Sequence, residues 1–409
     1  MNRTLFYVYS FIKGLVPIYP VYLLLFESKG LSLAQISLLL AIWAITPFLV
    51  EIPTGILADH WNRRNMLVIG GLLHAGCYVL WYFSEDFWLF ALGFVLWGIS
   101  GAFLSGSTEA LLYDNLKKEG CEESFDKIYG QAEFYTGIST GISMFLGGFL
   151  SQTLGMDSVL ILSSLMSLSA TVLASLLPEA NLFRENAHAS HEKEEMKIMD
   201  TLKDGIGFLV SKWEHVILVV IAIAVVGTAE IIDEYDQLIA GSFGLSLTWI
   251  GIWGGGRYLL DALGSKLAYR FKGLLEQLGI KHPFSMIWVL SLASVLCLLL
   301  SGLWKNLWLM ILYGCFYLIM SSCRILQEDY LQKKIEEQGR STVHSMVSLL
   351  LNGYGTAVFG LLALAPQLSA FGIILVTALY MLAMLLVLGI IFRIKRPPAA
   401  LPADKKGLS

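Results

Sequence analysis

Charged side chains make up only 15% of this 409-residue chain, against about 25% in a soluble globular protein. With 56% of its residues hydrophobic and a mean hydropathy of +0.67, the chain is expected to sit largely in lipid. Other things are missing as well. No phosphate loop, no H-E-x-x-H and no dinucleotide fingerprint occurs, which removes the common routes to nucleotide and metalloprotease chemistry. The five cysteines (Cys77, Cys121, Cys297, Cys315 and Cys323) show no C-x-x-C spacing. Four of them fall in apolar runs and read as small hydrophobes, so no metal site is expected. Gly137-Ile-Ser-Thr-Gly141 spells the nucleophile-elbow string. That string needs a strand-turn-helix context and a His partner, and neither is evident. No cofactor, no nucleic-acid partner and no enzymatic activity are therefore expected.

Long apolar runs are what the chain has in quantity. A spanning helix takes about 20 mostly apolar residues, and twelve such windows lie near 4–27, 33–58, 65–83, 87–113, 128–153, 157–177, 213–240, 246–272, 282–302, 306–334, 340–365 and 369–392. The first reads as a spanning helix rather than a signal peptide, having no small-residue cleavage site. With the N-terminus inside, 22 of the 28 lysines and arginines fall in cytoplasmic segments and two, Lys29 and Lys305, in outer loops. That asymmetry predicts a multi-pass protein of the cell membrane (inner or plasma membrane), with both termini cytoplasmic.

The windows also repeat. Gly30-Leu-Ser-Leu-Ala-Gln-Ile36 precedes the second and Gly244-Leu-Ser-Leu-Thr-Trp-Ile250 the eighth. Ser32 and Ser246 are natural N-caps, and Gln35 completes a capping box with Ser32. The reading is an all-α membrane protein with two pseudo-symmetric six-helix bundles, residues 1–180 and 213–392. A polar link, 181–212, joins them. Within it Met199, Leu202, Ile206 and Leu209 recur at helical spacing, as in a short amphipathic helix on the inner leaflet. The tail, 393–409, holds Pro397, Pro398 and Pro402 and reads as disordered.

The most informative stretch ends the second window: Glu51-Ile-Pro-Thr-Gly55-Ile-Leu-Ala-Asp59-His-Trp-Asn-Arg63-Arg64. It resembles the cytoplasmic hairpin signature G-x-L-x-D-x-x-G-R-K/R of the major facilitator superfamily. Gly55, Leu57, Asp59, Arg63 and Arg64 fit, and Asn62 replaces a glycine, a change that a left-handed turn tolerates. Parallel six-helix repeats are the build of such carriers. In that family the Asp faces the start of the eleventh helix, here Arg340-Ser-Thr342, and the first Arg pairs with an acid ending the fourth, here Asp114. The resemblance thus implies a gating latch of Asp59, Arg63 and Asp114; the alternative is positive charge that only sets topology. Glu51, two turns before Asp59, matches an arrangement in some tetracycline-efflux carriers and becomes a candidate proton-titrating acid. The fifth window keeps Gly147 and Gly148 of the antiporter pattern G-x-x-x-G-P-x-x-G-G, but has Ser139, Ser143 and Met144 for its earlier glycines and proline.

Ionisable groups inside a membrane usually face a cavity or a partner. The seventh window holds Glu230, Asp233, Glu234 and Asp236. The first three share one helical face, and crowded carboxylates cannot all stay ionised, so they are proton-coupling candidates unless this helix end is simply solvated. Asp236 is expected to reach outer water. Arg257 and Asp261 can pair at i, i+4 in the eighth window, and Arg257 could equally meet Glu230 across the cavity. In the tenth, Arg324 with Glu328 and Asp329 reads as a cytoplasmic clasp. Lys13 and Glu133 complete the intramembrane set. Tyr7, Tyr19, Tyr22, Trp43 and Tyr135 are plausible cavity lining, and Tyr235, Trp253 and Tyr258 rank first because they flank the charges.

The resulting expectation is a proton-coupled exporter of drug-like or amphiphilic small molecules that works as a monomer by alternating access. A proton symporter importing a sugar, osmolyte or organic ion is the alternative. With no nucleotide site, either draws on a gradient rather than on ATP.

Overall fold

A computed structural model describes residues 2–180, 213–334 and 340–395, without the side chains of 51–53, 55, 56, 58–60, 214, 215, 218, 331–334, 340–346, 348 and 349. The link, most of the tail, and the side chains of Glu51, Gly55, Asp59 and Arg340 lie outside the described residues. All regular structure within them is helical. Seven helical stretches are long and apolar enough to cross a membrane: Leu33–Val50, Arg63–Phe83, Phe87–Lys118, Met156–Ser175, Pro283–Leu303, Leu307–Tyr330 and Ala370–Lys395. The other five windows hold helices too, but broken ones (4–27 and 213–240) or ones with polar residues among the apolar.

The first window is two helices, α1 (Arg3–Gly14) and α2 (Tyr22–Ser28), and not the single rod expected. Pro17 and Pro20 explain the break, since neither has an amide to continue a helix. Next come α3 (Leu33–His60), α4 (Arg63–Phe83) and α5 (Phe87–Leu104). Gly106, at φ +69°, turns the chain into α6 (Ser107–Lys118), a conformation glycine adopts without a Cβ penalty. α7 (Phe125–Leu154) and α8 (Met156–Ser175) follow. The seventh window is α9 (Trp213–Ile221), a π turn over Ala222–Gly227, α10 (Thr228–Glu234) and α11 (Asp236–Ser242). Such π turns mark functional positions in many helices. The chain ends with α12 (Leu247–Gln277), α13 (Pro283–Leu303), α14 (Met310–Lys334), α15 (Arg340–Ala363) and α16 (Ala370–Lys395).

Caps set the helix starts. Ser32 accepts from the Gln35 amide at 3.3 Å while Gln35 Oε1 accepts from the Ser32 amide at 2.9 Å, the expected reciprocal box. Ser246 stands at the N-cap of α12 but makes no capping bond with its side chain. Gln152 at the end of α7 takes that role, accepting from the Leu247 amide at 3.1 Å. Asn62 differs from expectation too: its φ is −76°, so the turn is extended and draws nothing from left-handed tolerance. The first amides of α4 are instead held by Glu179, which accepts from Arg63 N at 3.0 Å and Arg64 N at 2.8 Å. A carboxylate there satisfies two orphan donors and faces the positive end of the helix dipole.

α4 packs on α5 and α8, α1 on α7, α12 and α13 on α14, and α13 on α16; residues before 180 meet those after 213 chiefly where α7 crosses α12 and α3 meets α15. The α7–α12 crossing rests on glycine. A methyl carbon at Gly148 would stand 2.8 Å from the Gly251 Cα, and one at Gly251 would stand 2.9 Å from the Gly148 Cα. Gly256, five residues farther along α12 and on another face, has open space around it. Gly251→Val is therefore expected to cost about 1–3 kcal/mol by overpacking and to lower the thermal unfolding midpoint in detergent. Gly256→Val should leave it unchanged, and equal midpoints for the two would remove the crossing as a constraint.

Candidate functional site

The site is a cavity of about 190 Å³ between the proline break and the α10–α11 junction. Its construction starts from the backbone groups the prolines leave unpaired. The Leu23 amide, in the first turn of α2, donates to Gln237 Oε1 at 2.9 Å, and the Tyr19 carbonyl accepts from Gln237 Nε2 at 3.4 Å. The Ile18 amide donates to Ser163 Oγ at 3.0 Å. Buried main-chain groups need such partners, so the break is fastened to α11 and α8. Gly147 lets the broken stretch lie against α7, since a methyl carbon there would stand 2.9 Å from Pro20 Cγ.

Aromatic rings form one wall. Tyr19, Tyr22, Trp43, Phe94 and Trp97 line it, with Trp97 stacked on Tyr19 at 5.6 Å and edge-on to Trp43 at 6.2 Å between ring centroids. The opposite wall is charged: Asp233, Glu234, Asp236, Gln237, Arg257 and Tyr258. Glu234 and Asp233 end α10 and Asp236 begins α11, so the change of helix at Tyr235 turns all three carboxyls toward one space.

Arg257 organises that wall. Its side chain is only 7% exposed and pairs with Asp233, with Asp236 at 3.5 Å and with Asp261 at 3.8 Å. Its guanidinium also lies over the rings of Tyr258 and Tyr317, at 4.8 and 4.9 Å from their centroids. An isolated buried cation would cost several kcal/mol; here carboxylates and ring faces compensate it. Both carboxylate oxygens of Asp236 accept from Trp253 Nε1 at 2.9 Å. Asp236 is thus gripped by two residues one turn apart on α12 and is buried, not in outer water as its position near the helix end suggested.

Glu234 has a different partner. Its Oε2 accepts from the Tyr22 hydroxyl at 2.8 Å, across the cavity from the other half of the chain. Tyr235 between the acids does not line the cavity. It is fully buried and donates to Ser37 Oγ at 2.7 Å. A smaller neighbouring cavity, about 50 Å³, joins Asp233 and Arg257 to Glu230, Asp261, Ser321 and Arg324. There Glu230 pairs with Arg324 at 4.0 Å rather than with Arg257.

Of the other residues singled out, Lys13 is half-buried and Glu133 exposed, and neither lines the cavity. Trp253 supports it through Asp236 without lining it. At the arginine-rich end of the helices, Arg63 Nη1 meets Asp114 Oδ2 at 2.9 Å, both side chains nearly buried. Lys272 approaches Asp329 at 4.0 Å at the corresponding end of α12. Arg64 contributes its amide to Glu179. Sequence reasoning missed Glu179, Gln237, Phe94 and Trp97. A polar Gln one position past the acid cluster was a usable signal, whereas the aromatic pair on α5 looks no different from lipid-facing residues.

This arrangement, ionisable groups around a cavity between two helical halves, agrees with the relatives. The family model of the Major Facilitator Superfamily matches residues 4–360. The Uncharacterized MFS-type transporter YxaM of Bacillus subtilis (strain 168) is 24% identical over 413 residues, covering 96% of each chain. The inner membrane transport protein YajR of Escherichia coli (strain K12) is 30% identical over 131 residues, 32% of this chain and 28% of that one. Among solved structures, the nucleoside transporter NupG aligns with a TM-score of 0.69 at 14% identity, over 97% of this chain and 100% of its own. A bacterial homologue of the human lysosomal transporter Spinster, inward-facing and unoccupied, aligns at 0.67 and 14%, over 97% and 98%. The chain is a multi-pass membrane transporter and belongs to the major facilitator superfamily.

Proposed function

We propose that this transporter is a proton-coupled exporter of amphiphilic small molecules, acting as a monomer in the cell membrane with both termini in the cytoplasm. Twelve crossings form two six-helix bundles, residues 1–180 and 213–392, joined by the link 181–212 and followed by the tail 393–409. The bundles rock about the cavity. The observation that supports this most directly is the Tyr22–Glu234 hydrogen bond, which ties a carboxyl in the cavity to the opposite half. Asp233 and Asp236 are committed to Arg257, and Glu230 to Arg324. Glu234 is therefore the acid best placed to exchange a proton for cargo.

The conformation supports the same reading. The described hydrogen bonds between the halves, from Tyr22, Leu23, Tyr19, Ser37 and Gln152, all lie between the cavity and the Ser32/Ser246 end. By charge asymmetry that end is the outer face, so closure on this side goes with an inward-open reading. When the halves rock the other way, Tyr22 withdraws and Glu234 meets outside water. The pairing of Arg63 with Asp114 then serves a latch in which Asp59 engages the start of α15 near Arg340 to hold the outward-open form. Glu51, on the same helix as Asp59, is a second proton candidate.

The departure of Ser139, Ser143 and Met144 from the antiporter pattern, with Met144 in the cavity wall, favours a second reading, proton symport that imports a small solute. Everted vesicles separate the two. Cargo added to them collapses a preformed proton gradient if exchange is the mechanism, and Glu234→Gln abolishes the collapse. Uptake by intact cells driven by an inward proton gradient would instead establish import. Asp59→Asn is expected to cut transport about tenfold while membrane insertion stays normal, as read by parallel flux and surface-labelling assays; an interaction made only in one access state is worth roughly 1–3 kcal/mol of coupling. Full activity in that variant would end the latch assignment.

A further inference from the structure

We propose that the cavity is built for a small organic cation, its charged head on the acid wall and its apolar body against the rings. This deepens the carrier reading above and rests on it for the identity of the site. Three observations carry it. First, the described residues lining the cavity include three carboxyls, Asp233, Glu234 and Asp236, and a single cationic side chain, Arg257. Second, that arginine is already spent. It is buried, paired with Asp233, Asp236 and Asp261, and covered by Tyr258 and Tyr317, so an incoming anion would meet these carboxylates beside it. Glu234, held by one neutral hydroxyl, is the carboxyl open to a new cation.

Third, the facing wall suits the rest of such a molecule. Tyr19, Trp43 and Trp97 are each partly exposed in the structure, and Phe94 packs behind them. Aromatic faces attract organic cations, most strongly where water is excluded, and cages of such rings recognise quaternary ammonium groups. Size narrows the class. The cavity holds about 190 Å³, below the roughly 300–1,000 Å³ of drug-sized pockets. A compact ammonium with one ring or a short alkyl body suits that volume.

The two walls come from opposite halves of the chain: rings from residues before 100, acids from residues after 230. A cation that touches both therefore bridges the halves, and because it competes with the proton for Glu234, one monovalent cation exchanges for one proton with no net charge moved.

The test uses the full-length purified protein and three probes: phenyltrimethylammonium, its near-isostere N,N-dimethylaniline (neutral at neutral pH), and benzenesulfonate. Binding is read by calorimetry and by tryptophan fluorescence. The expected result is phenyltrimethylammonium bound at least about tenfold more tightly than either competitor, with Trp97→Leu and Glu234→Gln each weakening it about tenfold. Unchanged melting curves certify the variants, and Trp43→Leu stands in if either fails to fold. Equal or tighter binding of the neutral or anionic probe overturns the proposal, as does phenyltrimethylammonium binding that no variant weakens.

Reconstitution with an internal pH dye separates this inference from the carrier reading. Proton movement driven by a neutral solute but not by phenyltrimethylammonium removes the cation class and leaves the carrier. Selective binding of phenyltrimethylammonium, with no proton movement driven by any probe, keeps the cation class and removes proton coupling.

Discussion

A guanidinium buried in a membrane protein must be compensated on every side, and the answer given to Arg257 shapes the rest of the site. Its partners come from two elements. Asp261 follows one turn later on α12, and Asp233 and Asp236 straddle the junction of α10 and α11. Residues three apart are neighbours on a helical face, so Asp233 and Asp236 both reach Arg257 from the two sides of Tyr235. Once Arg257 takes Asp233 and Asp236, Glu234 is left to a neutral partner, and that partner comes from the other half of the protein.

The proline break solves a complementary problem. A helix interrupted inside a membrane exposes amides and carbonyls that no water can satisfy, and such interruptions persist only where they line a cavity or find partners in neighbouring helices. Gln237, one residue beyond Asp236, supplies both a donor and an acceptor to the break. The same short stretch of α11 thus closes the backbone deficit of one half and the charge deficit of the other. Fold and site are coupled at the level of single side chains, because removing the glutamine's amide would leave main-chain groups unpaired at the lip of the cavity.

Much of this was legible in order along the chain. Composition and the twelve apolar windows gave the helical membrane class, and the hairpin motif gave the family. The capping box at Ser32 was readable because its two residues, Ser32 and Gln35, lie three positions apart. The acid cluster could be seen as important, and the i, i+4 relation of Arg257 to Asp261 exists in the structure. What could not be read was pairing across sequence distance. Nothing local tells that Glu230 meets Arg324 while Asp233 takes Arg257, since each acid lies a helix away from either arginine. Tyr235 ranked high for its position between charges, yet a helix end rotates successive side chains by about 100°, and it points into the protein toward Ser37. Ser246 looked like a cap equal to Ser32, but a glutamine from α7 was closer to the amide. Glu179 could be found only by knowing where the end of α8 lies in space.

The two ends of the molecule are held together differently, and that difference bears on how it can move. At the Ser32/Ser246 end the halves meet through hydrogen bonds, a glycine crossing and a shared apolar core in which Leu39 and Leu40 belong with Ile231 and Leu238. Each such bond contributes only about 0.5–1.5 kcal/mol net, and a glycine contact stores no interdigitated side chains to pull apart. At the other end the described ion pairs, Arg63–Asp114 and Lys272–Asp329, each lie within one half. They stiffen the halves without joining them. A bound proton or a bridging ligand shifts the halves only by its differential affinity for the two arrangements, on a scale of several kcal/mol.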